Sequence, residues 1–111
     1  MVLTSLLVSV LTCISEHPGA RLGGGPILIQ GLLEGSPQLV DMDAATESVS
    51  STESQFEFIA HNGCDNFYRV SFSQSDLNAL KTGKSTSVTG ELEFFNADVE
   101  ETITSLTCSL R

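Results

Sequence analysis

Ser54–Phe72, SQFEFIAHNGCDNFYRVSF, decides the fold. Phe56, Phe58 and Ala60 recur at every second position before a polar turn, and Tyr68, Val70 and Phe72 do the same after it. A period of two belongs to a half-buried strand, so the stretch predicts two strands around a short loop. That loop gathers His61, Asn62, Gly63, Cys64, Asp65 and Asn66.

Downstream the period changes. In Ser73–Lys81, SQSDLNALK, Leu77 and Leu80 sit three apart, and Ser75 or Asp76 can cap a helix. This predicts one short helical turn near residues 75–81, ending at Gly83. Ser85–Asn96 alternates again, with Val88, Gly90, Leu92 and Phe94 on one side. Val99–Leu110 is β-branched and Thr-rich, so it reads as a last strand. Its apolar phase shifts between Ile103 and Leu106, which predicts a bulge or twist.

Upstream, Thr46–Ser54 is rich in Ser, Thr and Glu and reads as a solvated loop. Gln38–Ala45 reads as a short strand or a frayed helical turn. Ile27–Leu33 is an apolar run between Pro26 and Gly35, a strand in which Gly31 marks a bulge or a close backbone approach. Roughly five to seven short strands, with turn signals between them, predict an all-β fold: a small antiparallel β-sandwich or barrel. Glu91, Glu93, Glu100 and Glu101 are expected on sheet margins, where charge keeps edges from pairing with other chains.

The chain has 111 residues, enough for one small domain with a modest core. Its formal net charge is −9, from 14 acidic and 5 basic residues. Such a surface repels phosphate backbones and anionic headgroups, which excludes general nucleic-acid binding. The basic residues Arg21, Arg69, Lys81, Lys84 and Arg111 are scattered.

Met1–Ser15, MVLTSLLVSVLTCIS, opens with an apolar run too short to span a bilayer, which needs about 20 residues. It has the length of the apolar part of an export signal, although no Lys or Arg follows Met1. The alternative is an N-terminal strand or helix of the folded domain. With residues 1–15 as a cleaved signal, Glu16–Pro26 becomes a Gly- and Pro-rich linker and residues 27–111 the β domain. Cys64 and Cys108 then remain as an even pair, and an oxidising compartment would join the central turn to the last strand. Location is therefore expected to be extracellular or periplasmic, with no stable membrane span after signal removal.

Several constellations of residues bear on chemistry. His61 and Cys64 have a spacing that could supply two metal ligands, but two more would have to come from far away, and no metal is assigned. Asp41-x-Asp43 and Asp98–Glu101 offer calcium-type oxygens without the EF-hand pattern. Gly83-Lys84-Ser85 matches the end of a phosphate-binding loop, but Asn78 stands where that motif needs Gly. No catalytic residues and no cofactor are assigned, since the chain has 2 histidines and no assembled triad. Phe67 and Phe95 fall on the outward phases of their strands.

Gly63-Cys64-Asp65-Asn66-Phe67 and Thr104-Ser105-Leu106-Thr107-Cys108 resemble the two cysteine-bearing segments of META domains, which occur in secreted bacterial proteins and lipoproteins. Asp65 departs from the Asn usual after the first cysteine, and the intervening stretch is longer, so no residue role is carried over.

The expected function is a small acidic exported β-domain with a binding, inhibitory or accessory role, not an enzyme. His61, Asn62, Asp65, Asn66 and Phe67 form its binding loop, facing an unknown protein or small ligand. A structural or self-assembling surface protein and a cytosolic domain with free thiols are the alternatives.

Overall fold

The computed structural model describes residues 8–21, 24–63, 66–96 and 99–111. Eight strands follow one another: β1 (Val10–Ser15), β2 (Ile27–Gln30), β3 (Gln38–Val40), β4 (Ala45–Ser51), β5 (Gln55–His61), β6 (Phe67–Ser73), β7 (Ser87–Asn96) and β8 (Val99–Leu110). One helix, α1 (Gln74–Lys81), joins β6 to β7, and a 3-10 turn occupies Pro18–Ala20. The sheet order is β3-β2-β1-β8-β7-β6-β5-β4, and every pairing is antiparallel. Each strand thus pairs with its chain neighbour, and the first pairs with the last. Only the step from β3 to β4 lacks a ladder among the described residues. The sheet nearly closes into a barrel, and Thr46 Oγ1 donates to Pro37 O at 2.7 Å beside the seam.

The alternation that predicted the strands is also the alternation of the interior. Phe58, Ala60, Val70, Phe94, Leu106 and Cys108 are fully buried, and Tyr68 and Phe72 are nearly so. Each large apolar side chain removed from water contributes about 1.5–3 kcal/mol. The aromatic rings fill the space between the strands, so the barrel holds a core. Gly90 lies on the inner phase of β7 where the Phe72 ring crosses it. A Cβ there would collide with that ring and with the Ser71 carbonyl, so only Gly fits.

Several elements differ from the sequence-based expectation. Thr46–Ser54 is not a loop: most of it is β4, an edge strand with both faces largely exposed. A strand without a buried face has no hydrophobic alternation to betray it. The run Ile27–Leu33 stops pairing at Gln30, and Gly31, at φ 79°, begins a turn in which the Ser36 carbonyl leaves no room for a Cβ, so the close backbone approach holds and the bulge does not. Pairing of β8 with β7 is continuous through Ile103–Leu106. The apparent phase shift arises because Thr102 and Thr104 take inner positions while Ile103 is 61 % exposed. The irregularities fall between Phe94 and Asn96 and between Thr46 and Ser48. Glu91, Glu93, Glu100 and Glu101 sit on interior strands of the sheet, not on its margins, which are β3 and β4. The α1 N-cap is Ser73, whose hydroxyl accepts from Asp76 N at 3.2 Å, and Leu77 and Leu80 are buried as their spacing required.

Val10–Ser15 pairs with both β2 and β8. Within Glu16–Pro26, Ala20 is buried, and Asn96 Nδ2 donates to Gly19 O at 2.8 Å. Cys13 stands directly opposite Cys108 in the β1–β8 ladder, with sulfurs 2.01 Å apart. The expected partner of Cys108 was Cys64; the structure gives it Cys13, and a sulfur forms one such bond. Register explains the choice, because antiparallel neighbours bring the two Cβ atoms together without moving the backbone. Cys64 lies outside the described residues.

The pairing sets a thiol count. In denaturant without reductant, alkylation is expected to label one cysteine, and peptide mapping should place the label on Cys64. A label on Cys13 would return the bridge to Cys64 and Cys108. The bridge closes a span of 95 residues, so replacing both Cys13 and Cys108 by Ser is expected to cost about 4 kcal/mol of stability, read from denaturant melts.

Candidate functional site

An up-and-down meander sends alternate connections to opposite ends of the barrel. One end carries α1, whose Gln74 Nε2 donates to Ser51 Oγ at 2.7 Å and Thr52 O at 3.1 Å in the β4–β5 connection. Helix side chains Leu77 and Leu80 close that end. The other end collects the β1–β2, β3–β4, β5–β6 and β7–β8 connections. There the chain leaves an open cavity of about 390 Å³, lined by Arg21, Asp41, Met42, Asp43, Asn62, Asn66 and Tyr68. Barrel mouths are a common place for small-ligand sites, and this volume is in the range such sites use.

Each wall has a local cause. Asp41 and Asp43 hold φ at 61° and 53°, the left-handed region that Asp enters more readily than most residues. Such backbone costs energy and persists where surrounding structure enforces it. Their carboxylates make no hydrogen bond or ion pair with any described residue. Arg21 is anchored by its outer nitrogens: Nη1 donates to Pro26 O at 2.5 Å and Nη2 approaches Asp41 O at 3.4 Å. It forms no ion pair with a described carboxylate. The β5–β6 turn is built by backbone and amide together, with Asn62 N donating to Asn66 O at 3.0 Å and Asn66 N donating to Asn62 Oδ1 at 3.2 Å.

Asn66 is the unusual member. Asn66 is 9 % exposed, and its Oδ1 is buried without a hydrogen-bond partner among the described residues. A buried polar atom left unpaired costs about 1–3 kcal/mol. Tyr68 is 2 % exposed, and its hydroxyl makes no hydrogen bond to a described residue. Burial pushes the Tyr68 phenol above its ordinary value of 10.0, and the Arg21 charge opposes that rise.

The expected binding loop divides between two surfaces. Asn62 and Asn66 line the cavity. His61 lies on the outer wall, with Nδ1 2.7 Å from Glu47 Oε1 on the neighbouring strand. Phe67 is also on the outer wall, stacked on Phe95 at 5.5 Å between centroids and 11° between planes. The Arg69 guanidinium lies 5.5 Å from the Phe67 ring centre and bonds Glu93. Asp65 lies outside the described residues. Sequence reasoning had treated Tyr68 as core, the Asp41-x-Asp43 pair as a calcium candidate and Arg21 as a stray base. The aspartates carried a legible signal; Arg21 carried none. Among the described residues no three His, Cys, Asp or Glu side chains converge as a metal site. No helix among them is long and apolar enough to cross a membrane.

A second depression, of about 480 Å³, lies between β1 and the 16–26 segment and is lined by Ile14, Pro18, Pro26 and Ile27 among others. Among the described residues it holds no buried polar side-chain atom without a partner, which separates it from the barrel-end cavity. Comparison with protein-family models, with curated proteins and with solved structures finds no match to the chain. The cavity is therefore weighed on its geometry alone.

Tyr68 reports on that geometry directly, since it is the sole tyrosine and tryptophan is absent. Its phenolate absorbance in the folded chain is expected to titrate above 10.0, and to return to about 10 in denaturant. Because the folded value is the higher one, the associated stability is present below pH 10 and declines as pH rises through the folded value. Arg21→Gln should raise the midpoint further. A native midpoint at or below the ordinary value would remove the buried, Arg21-facing phenol from the site.

Proposed function

We propose that this chain is an exported, disulfide-stapled β-domain with a binding, inhibitory or accessory role, and that the barrel end around Asp41–Asp43, Asn62 and Asn66 is its recognition surface. The observation that carries this is the unpartnered Asn66 amide oxygen, buried in the wall of an open polar cavity that Asn66 lines. Natural cores pair such atoms, and exceptions concentrate where a ligand or water completes the set. Left-handed Asp41 and Asp43 beside it add backbone cost at the same spot, which is characteristic of sites kept for function.

Export draws support from the Cys13–Cys108 bridge, because disulfides persist in oxidising compartments and thiols stay reduced in the cytosol. It also changes the processing expectation. Cleavage after Ser15 and this fold exclude one another, since the cut removes β1 and Cys13. The mature domain in this proposal keeps Cys13. Self-assembly through the free β4 edge has less support: the irregularity between Thr46 and Ser48 and the charge of Glu47 both blunt that edge.

Two measurements test the proposal. Asn66→Leu removes the unpaired oxygen without touching the backbone bonds of the turn, and is expected to raise the stability of the unliganded chain by about 1 kcal/mol. A loss of stability would make Asn66 a structural residue and sink the recognition surface. Intact mass of chain recovered from periplasm or medium should include Cys13, two hydrogens lighter than the fully reduced form. Retention in the cytosol with all thiols alkylatable would end the export proposal.

A further inference from the structure

The barrel-end cavity contains charges of both signs that do not neutralise each other. Asp41 and Asp43 present carboxylates without a described partner, while the Arg21 guanidinium spends two of its nitrogens on the Pro26 and Asp41 carbonyls. A guanidinium has five N–H donors, so Arg21 retains donors for an acceptor in the cavity. Asn66 lines the same cavity, and its amide oxygen is buried in the wall without a partner among the described residues. Among the described lining residues Met42 is the only one with an aliphatic side chain.

Those groups select among ligand chemistries. A bare divalent cation would meet two carboxylates but also the fixed charge of Arg21, and no third acidic or imidazole ligand converges there among the described residues. A simple anion would meet Arg21 but also Asp41 and Asp43. An apolar ligand would strand the charges and the amide without water. A molecule with an ammonium at one end and a carboxylate at the other matches the charges of the lining: its N–H donors suit the Asp41 and Asp43 carboxylates, and its carboxylate suits the Arg21 fork. We propose that the cavity binds a small zwitterion of the α-amino-acid class. This rests on the barrel end being the recognition surface and names the ligand chemistry it takes.

The test is a titration of the ¹⁵N-labelled full chain, followed by ¹H–¹⁵N spectra. The probes are L-α-amino acids added one at a time, with methylammonium, acetate and calcium chloride as single-charge arms. At least one amino acid is expected to shift the Asp41, Met42, Asp43, Asn62 and Asn66 amides at about millimolar concentration. Arg21→Gln and Asp43→Asn, each checked for a dispersed, folded spectrum, should weaken that binding about tenfold or more. The single-charge probes should bind far more weakly. Absence of any amino-acid response at about ten times that concentration overturns the proposal, as does unchanged binding by either folded variant. Equal or tighter binding of calcium, acetate or methylammonium at the same amides also overturns it, yet leaves the barrel end as a recognition surface. The stability of Asn66→Leu decides that surface separately.

Discussion

The pairing of the first strand with the last is the constraint on which the structure depends. Without β1 beside β8, the meander from β4 to β8 would be an open sheet with β8 as a free edge, and β2 and β3 would have nothing to extend. The five registered pairs from Leu11–Leu110 to Ser15–Leu106 close that side of the barrel. Closure joins residues at opposite ends of the chain, so it carries a large loop entropy. The Cys13–Cys108 bridge lies within this ladder and restricts the unfolded chain at the same contact. For a domain of this size, whose core alone gives marginal stability, such a staple is a large fraction of the total.

Closure also decides where chemistry can sit. Phe58, Phe72, Phe94 and Tyr68 fill the interior, which leaves no through-going channel. One end is closed by α1 through Leu77 and Leu80. The remaining end is made of connections, whose polar groups are not consumed by ladders. The 3-10 turn at Pro18–Ala20 covers part of it, held by Asn96 and by the edge-on contact of His17 with Phe94 at 5.4 Å. Arg21 follows directly and reaches the cavity wall. Thus one segment both seals the mouth and supplies the cation in it. The outer wall has a separate logic: Arg69 lies between Glu57 and Glu93 across three strands, with Phe67 and Phe95 stacked beside them. These partly exposed pairs order the surface more than they stabilise it.

The central hairpin was legible because its two arms have one buried face each, and β7 was legible for the same reason. The helix could be read from Leu77 and Leu80, though its cap lies two residues before Ser75. By contrast β4 has no apolar alternation, and its strand state comes from pairing with β5. The expectation for β8 erred because Thr102 and Thr104 occupy inner positions that apolar side chains usually take. In the site, Asn62 and Asn66 were legible as turn residues with exposed-looking polarity. His61 and Phe67, adjacent to them in sequence, turned out to face the outer wall, since neighbours on a strand point to opposite sides.

What the sequence by itself determined is the class: a short acidic chain whose period-two hydrophobic pattern can bury only one face per strand must build a sheet that curls on itself. What only the tertiary structure decided is which distant residues meet. Three cysteines allow three pairings, and spacing favours none of them; the register of β1 against β8 selects Cys13 and Cys108. Arg21, Asp41 and the pair Asn66 and Tyr68 belong to three separate stretches with no common pattern. They share a cavity because an antiparallel meander returns every second connection to the same end. Local pattern records which face is apolar, whereas contacts between remote segments depend on strand order and register, which local pattern does not encode.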